Sequence, residues 1–254
     1  MITNIRQTLR IAALVTLTAT SALTAATTPT RAEADRAETE QVTFDLVIMG
    51  LRAGALDFTA AQKGVGYSAV GRLQTSGLAA MLRRVRYDAV VQGRLRNGHY
   101  VPTAYREKAD TGKRRSASVM EYRKGVPLVQ SYDPPRDPRP NDVDPATMGG
   151  TVDPLTALFA TLRDVNPGEE CKVSLQMFDG RRNSKIRTVD PKAKGETVIC
   201  AGEYRRLAGF SEKEMAEKTH FNFTLTYAPT PEGRMRVIEV AMDTLYGKAR
   251  LIRR

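Results

Sequence analysis

Apolar and polar residues alternate with a period of two in many short segments of this chain, and no other feature restricts its fold as strongly. In the clearest segment, Phe221, Phe223, Leu225 and Tyr227 alternate with polar residues. Successive side chains of a β-strand point to opposite faces, so this pattern predicts a strand with one buried and one solvated face. Because the pattern recurs from residue 42 to the end of the chain, we expect a mainly β protein.

The segments are short and are separated by turn-forming pairs such as Asn97-Gly98. Short connections favour antiparallel pairing, because parallel neighbours need a long crossover. The pattern places Val65 on the same face as Tyr67, and it places Cys171 in phase with the strand that follows it. The predicted strands cover residues 42–48, 51–60, 65–69, 84–92, 99–108, 113–122, 171–177, 184–189, 197–207, 221–227, 234–242 and 246–252.

One amphipathic helix is predicted over residues 154–165. Asp153 is a favourable N-cap residue, and Pro154 suits the first helical position, where its missing N–H group is harmless. Shorter helical turns are predicted at 76–82 and 211–216. The apolar stripe of the long helix must be covered, and the apolar face of the sheet is the available surface. This stripe, which we expect to line the sheet, consists of Leu155, Leu158, Phe159 and Leu162.

The first 34 residues resemble a signal for export. Arg6 and Arg10 precede an apolar run at residues 11–26, and residues 32–34 supply the small-x-small pattern for cleavage near Ala34. The run of about 16 residues is too short to cross a bilayer, so no stable membrane span is expected. No cysteine is available near the cleavage point for a lipid anchor. We therefore expect a soluble, monomeric protein in the periplasm, or alternatively one that is secreted.

The two cysteines, Cys171 and Cys200, fit an oxidising compartment. A zinc site would need two further ligands, and only His99 and His220 are available, so a disulfide is the favoured interpretation and a metal site is not expected. A bridge between them would close a loop of about 30 residues, which corresponds to about 3.5 kcal/mol in the chain-entropy model. The sequence contains no signature of a cofactor site.

Positive charge dominates the chain. Removal of residues 1–34 would delete three arginines and one glutamate, and the formal net charge of +11 would fall by two to +9. Outside the cytoplasm such a surface favours lipid headgroups or acidic polysaccharide over nucleic acid. Arg52, Arg181 and Arg182 lie at turns and are candidate contacts for a ligand or an anion, although turn chemistry alone also explains their positions.

Residues 132–152 form a proline-rich connector with no apolar period. If the connector divided the chain into two domains, the helix that follows it would have too little sheet in its own domain to pack against. We therefore interpret the connector as a long segment inside one domain at residues 35–254. A mature chain of about 220 residues is long enough to form one hydrophobic core.

Five short motifs occur in order along the chain: GLRAG at residues 50–54, TVDPLTAL at 151–158, FDGRR at 178–182, CAGEY at 200–204 and AGF at 208–210. Together they resemble the exported bacterial proteins called DUF3108, over about residues 42–254. The resemblance implies a periplasmic protein with a curved antiparallel sheet or half-barrel, loosely similar to lipoprotein carriers, with one helix on its apolar face. It implies no enzyme, since the family has no established activity.

No catalytic residue can be assigned, because the chain has no nucleophile elbow and no phosphate-binding loop. Asp142, Asp144 and Asp153 lack the spacing of a known calcium loop. Two functional hypotheses follow. The first is a non-catalytic envelope protein that binds an apolar or amphipathic ligand, a polysaccharide or another envelope protein. The alternative is a hydrolase or carbohydrate-active enzyme with Asp and Arg residues in the connector loops.

Overall fold

The computed structural model describes residues 38–244 and 247–254, so the predicted export signal lies outside the described residues. The described chain is mainly β, with three short helices and one 3₁₀ turn. The helices are α1 (Gly77–Leu82), α2 (Pro154–Leu162) and α3 (Glu212–Glu217), and the 3₁₀ turn covers Pro145–Thr147. The strands are β1 (Glu38–Ile48), β2 (Leu51–Lys63), β3 (Gly66–Thr75), β4 (Arg86–Arg96), β5 (His99–Asp110), β6 (Arg115–Arg123), β7 (Val126–Asp133), β8 (Ser174–Phe178), β9 (Asn183–Lys194), β10 (Thr197–Ala208), β11 (His220–Pro229), β12 (Met235–Thr244) and β13 (Gly247–Arg253).

All thirteen strands form one antiparallel sheet in the order β7-β6-β5-β4-β3-β2-β1-β13-β12-β11-β10-β9-β8. Consecutive strands pair with each other, except β7 and β8, which are the two edges of the sheet. In addition, β1 pairs with β13, with Leu46 opposite Leu251. This pairing joins the two halves of the chain at the centre of the sheet. The prediction of a mainly β fold with an antiparallel sheet is confirmed.

The sheet is not closed by strand pairing, and the connector lies between its edge strands β7 and β8. The backbone N–H of Val152 donates to the carbonyl of Gln176 at 2.9 Å, and that of Val143 donates to the carbonyl of Arg181 at 3.0 Å. On the other side, the N–H of Gly150 donates to the carbonyl of Gly125 at 2.9 Å. The connector therefore hydrogen-bonds to elements on both sides of the gap.

Inward-facing side chains of both halves form one core around α2. Phe221, Phe223, Leu225 and Tyr227 are all buried, as the alternation in that segment predicts. Because α2 packs against strands β3, β4, β5 and β8, the sheet curves around the helix. The largest buried side chains from the strands and the helix include Phe44, Tyr105, Met120, Leu162, Phe178 and Val237.

A buried chain of hydrogen bonds fixes the start of α2. One carboxylate oxygen of Asp153 accepts from the backbone N–H of Thr156 at 2.9 Å, and the other accepts from the Thr156 hydroxyl at 2.6 Å. The Tyr67 hydroxyl lies 2.8 Å from the Thr156 Oγ1, which ties the helix to β3. The predicted N-cap at Asp153 is confirmed, and Pro154 follows it at the start of the helix.

Four details of the sequence prediction are wrong. Val65 lies in the β2–β3 turn and is 64% exposed, so it does not share the buried face of Tyr67. Cys171 has a left-handed φ of 60°, and the strand after it begins only at Ser174. Helix α2 ends at Leu162, because the chain turns extended there and a bridge forms between residues 165 and 235. Strand β7 was not predicted, and it overlaps the first two residues of the predicted connector.

Candidate ligand-binding cavity

A cavity of about 430 Å³ lies between helix α2 and the concave face of the sheet. We call it the apolar cavity, because aliphatic and aromatic side chains form most of its walls. Its volume falls in the range of roughly 300–1,000 Å³ that is typical of small-molecule sites. Its apolar walls include Leu46, Leu56, Leu73, Leu155, Leu158 and Met242.

Two small residues on adjacent strands provide this space. Gly71 of β3 and Ala89 of β4 lie opposite each other in the strand register, and both line the cavity. A Cβ atom on Gly71 would lie 2.7 Å from the Leu155 Cδ1, so Leu155 can approach β3 at this point because residue 71 has no side chain. Leu158, one turn further along the helix, is half-buried and borders the open space. The helix therefore fills the concavity only in part.

The charged residues of the cavity wall are Arg72, Arg250 and Glu107, of which Glu107 lies on β5. Its Oε2 accepts a hydrogen bond from the Tyr105 hydroxyl at 2.8 Å. Burial raises the pKa of the Glu107 carboxyl, because it penalises the charged form, and the Tyr105 hydrogen bond opposes this only in part. Burial thus disfavours the charged form of this carboxyl at the cavity wall.

A second cavity of about 450 Å³ shares Tyr87, Glu107 and Pro154 with the apolar cavity. We call it the basic cavity. The β5–β6 turn, the connector and the β8–β9 turn bring its side chains together from distant parts of the sequence. Its arginines are Arg114, Arg136, Arg139, Arg181 and Arg182.

Only part of this positive charge is neutralised. Asp142 lies 2.8 Å from Arg136 and 3.5 Å from Arg181, and Arg182 pairs with Glu214 at 2.8 Å. Desolvation, together with the neighbouring Arg182, lowers the pKa of Arg181. Two further arginines of the cavity have no carboxylate oxygen within 4.0 Å in the described part of the chain. These are Arg114 and Arg139, and both are exposed.

A third cavity, of about 650 Å³, lies at the other end of α2 and shares no wall residue with the first two. We call it the distal cavity. Arg236 pairs with Asp164 at 2.6 Å, and Arg253 pairs with Glu40 at 3.1 Å. The Arg234 Nη2 donates to the Asp164 carbonyl at 2.7 Å. Internal pairs therefore hold most of its charged groups, and its wall is too polar for an apolar ligand.

The outer face of the sheet carries a shallow groove of about 790 Å³. Part of its charge is paired, although Arg106 and Lys108 have no carboxylate oxygen within 4.0 Å among the described residues. Asp88 lies 2.6 Å from the Nε atoms of both Arg72 and Arg86, and Asp57 accepts a hydrogen bond from the Thr43 hydroxyl at 2.8 Å. The apolar cavity, which α2 and the sheet line together, and the basic cavity beside it are the better candidates for a ligand site, because a ligand there would contact two layers of the fold.

The residues that the sequence singled out lie at several places. Leu155 and Leu158 line the apolar cavity, whereas Phe159 borders the distal cavity and Leu162 is fully covered in the core. Arg181 and Arg182 line the basic cavity. Arg52 lies apart from them, next to the β1–β2 turn, where it pairs with Asp45 at 2.9 Å.

The predicted disulfide between Cys171 and Cys200 is present and ties the loop before β8 to strand β10. In the described part of the chain, no group of three or more His, Cys, Asp or Glu side chains is arranged to hold a metal ion. The helices of the described residues are also too short or too polar to cross a membrane.

The model of the family described as "Protein of unknown function (DUF3108)" matches residues 41–247. The chain belongs to the DUF3108 family. The FDGRR motif of this DUF3108 chain forms the β8–β9 turn beside the basic cavity, and its TVDPLTAL motif begins α2. The resemblance predicted from the motifs is confirmed.

A comparison of this DUF3108 chain with solved structures finds a "Beta-barrel-like Protein of Domain of Unknown Function DUF1849" from Brucella abortus. The sequence identity is 13% and the TM-score is 0.43, over 84% of this chain and 95% of that chain. Comparison with the curated proteins finds no match.

Sequence reasoning missed Glu107, Arg114 and Arg139 as residues of the site. The signal for Glu107 was present, because it lies in phase with the inward-facing Tyr105 and Ala109 of β5. A charged residue in the buried phase of a strand indicates a special environment. Arg114 and Arg139 carried no such signal, since the distance between them depends on how the connector crosses the edge of the sheet.

Proposed function

We propose that this protein is exported to the periplasm and binds, without catalysis, an amphipathic molecule that has an apolar chain and an anionic group. The apolar part would occupy the apolar cavity, and the anionic group would face the arginines of the basic cavity. The observation that carries the proposal is that these two cavities share walls. An apolar cavity of about 430 Å³ beside a cluster of arginines matches the chemistry of a fatty acid or a lipid.

Two features of the site support a binding role over hydrolysis. Hydrolysis of a glycosidic bond uses two suitably placed carboxyl groups. In the basic cavity, the Asp179 carboxylate already accepts hydrogen bonds from the backbone N–H groups of Arg181 and Arg182, at 3.0 and 2.7 Å. The Glu107 carboxyl, whose pKa is raised, faces the apolar space and accepts from Tyr105. The alternative of a hydrolase therefore has weaker support.

Fluorescence titration with dansylamino-undecanoic acid, which has an alkyl chain and a carboxylate, tests the proposal. We expect saturable binding to the wild-type protein. Ala89→Phe places a ring inside the apolar cavity and should weaken binding by about tenfold or more. Val90→Phe is the matched control, because Val90 lies on the outer face of the same strand and is 41% exposed. Equal binding by wild type and Ala89→Phe would overturn the proposed site.

The charge requirement is tested with the methyl ester of the same dye. Wild type should prefer the acid, because a carboxylate gains charge-assisted hydrogen bonds from the free arginines Arg114 and Arg139. The double variant Arg114→Gln/Arg139→Gln should lose about tenfold in affinity for the acid and little for the ester. The control is Arg94→Gln/Arg96→Gln, two arginines of β4 that do not line these cavities. If the acid and the ester bind equally to wild type, the anionic part of the proposal is wrong.

A further inference from the structure

Five large apolar side chains are exposed together at one end of the sheet. Two lie in and just after the β1–β2 turn, Met49 (74% exposed) and Leu51 (70%). Three lie on helix α1, Leu78 (74%), Met81 (83%) and Leu82 (90%). We call these five residues the apolar tip. Single exposed apolar residues are ordinary on a protein surface, but a cluster of this kind marks an interaction site.

The two parts of the apolar tip are held next to each other by the backbone. The N–H of Ser76, which precedes α1, donates to the carbonyl of Ala53 on β2 at 2.9 Å. In the strand register, Gly54 lies opposite Thr75. The start of β2 and the start of α1 are therefore fixed side by side, and their exposed side chains belong to one surface.

Helix α1 has no structural reason of its own to carry these residues. It has six residues, all apolar or glycine, and none of them is buried. A helix this short is not stable by itself in water, and a surface helix of a soluble protein normally has a polar outer face. Leucine and methionine on the outer face of α1 therefore point to a partner that covers them.

Three arginines flank the apolar tip, and two of them are unpaired in the described part of the chain. Arg52 follows Leu51 and has a side chain that is 57% exposed, and it pairs with Asp45. Arg83 and Arg84 directly follow α1, and both are exposed. Among the described residues, neither of these two has a carboxylate oxygen within 4.0 Å. A covering partner would therefore offer an apolar interior beneath a negatively charged surface.

We propose that the apolar tip docks onto a bilayer that contains anionic phospholipid. The leucine and methionine side chains enter the boundary between headgroups and acyl chains, and Arg83 and Arg84 contact lipid phosphates. Peripheral proteins bind membranes by this combination of shallow apolar insertion and basic flanking residues. A bilayer also fits the form of the surface. The β1–β2 turn and helix α1 present apolar side chains on a protruding surface, and fluid lipid can surround these side chains without a preformed groove.

The apolar tip lies at the same end of the sheet as the apolar cavity. Leu46 and Leu73 line the cavity within a few residues of the ends of β1 and β3, where the β1–β2 turn and α1 begin. On the proposed function, docking would bring the cavity to the membrane surface, where a lipid-like ligand enters or leaves. This added role rests on the proposed function, whereas docking itself stands on the exposed residues.

Vesicle flotation tests the docking. We expect wild-type protein to float with vesicles of phosphatidylglycerol and phosphatidylcholine in equal parts, and to float less with phosphatidylcholine alone. Met81→Glu/Leu82→Glu should lower the partition coefficient about tenfold or more. Val65→Glu is the matched control, because Val65 is 64% exposed in the β2–β3 turn at the opposite end of the sheet. Arg83→Gln/Arg84→Gln should remove most of the preference for phosphatidylglycerol.

Three outcomes would overturn the docking proposal. Wild type could fail to float with either vesicle, or Val65→Glu could lower flotation as much as the α1 variant does. Light scattering after size exclusion could instead show a dimer that Met81→Glu/Leu82→Glu separates, which would assign the surface to a second copy of the chain. The dye titration on the same variants keeps the two proposals apart, because lost flotation with intact dye binding would overturn only the docking.

Discussion

The start and the end of helix α2 differ in how the sheet covers them. Pro154 and Leu155 of the first turn line the apolar cavity, as does the half-buried Leu158 in the middle of the helix. The last turn begins at Phe159, which packs against Tyr67 and Tyr100 with ring centroids 6.2 and 5.4 Å apart. The helix is therefore open to an apolar space at its start, whereas its closely packed end begins with an aromatic contact, beyond which the polar distal cavity lies.

This difference indicates that the open space is a property of the site and not of a generally loose core. At the closely packed end, aromatic rings occupy the gap between helix and sheet, and the Asp164–Arg236 ion pair lines the polar distal cavity beyond them. At the open end, Ala89 lies where a larger side chain would fill the gap, whereas Gly71 lets Leu155 approach the sheet, because a Cβ atom there would lie 2.7 Å from the Leu155 Cδ1. A sequence that needed only stability would gain from a larger apolar residue at position 89.

The largest effect is expected from truncation at the closely packed end. Phe159→Ala should lower the free energy of unfolding by about 3–5 kcal/mol, because Phe159 is only 5% exposed and the remaining rings cannot collapse into the space. Leu158→Ala, at the preceding residue, is the matched control. It should lower the free energy of unfolding by about 1 kcal/mol, since the surroundings of Leu158 are already open. Urea unfolding measures both. Equal losses would show that the two ends are packed alike.

Much of this fold could be predicted from local signals. The alternation of Phe221 to Tyr227 identified β11, and Asp153-Pro154 identified the start of α2. Cys171 and Cys200 could be paired because the chain has no other cysteine. Each of these features is decided by residues close together in the sequence, or by the small number of possible partners.

The site could be predicted only in part, because its geometry depends on contacts that are distant in sequence. The space beside Leu158 exists because Gly71 and Ala89 face the helix, and strand register sets this. Strand β7 was missed because its alternation is short and Pro127 lies within it. Arg139 reaches the basic cavity only through the path of the connector, which has no regular period to analyse.

The second prediction concerns how stability depends on pH, because the carboxyl of Asp153 that caps α2 is buried whereas ordinary caps are exposed to solvent. Burial raises the pKa of Asp153 from 3.8 to about 6, against the opposing hydrogen bonds from Thr156. The folded state thus holds this proton more tightly than the unfolded chain does. The contribution of Asp153 to stability is fully present below about pH 4 and is lost as the pH rises through about 6.

Asp153→Asn removes this titration while keeping a residue that caps helices well. The stability of the variant relative to wild type should therefore rise by about 2 kcal/mol between pH 4 and pH 7, which is most of the full linkage value of about 3 kcal/mol for this shift. Urea unfolding at several pH values measures it. Asp144→Asn, at the exposed cap of the 3₁₀ turn, is the control. A relative stability that stays constant with pH, as in the control, would contradict the buried state of the Asp153 carboxyl.

The smallest effect concerns the ion pair at the closely packed end. Both Nε and Nη2 of Arg236 donate to the Asp164 carboxylate, and the Asp164 side chain is 16% exposed. Arg236→Met should cost about 1 kcal/mol, because the carboxylate loses two charge-assisted bonds while water still reaches it. Arg115→Met is the control, since the Arg115 side chain is 88% exposed in its pair with Asp110 and should contribute less.

The loss of stability for Arg236→Met should shrink little in high salt, because partial burial limits screening. A loss no larger than that of the control would mean that the aromatic contacts alone hold this end of the helix. The paired charges of the distal cavity would then contribute nothing to the free energy of unfolding.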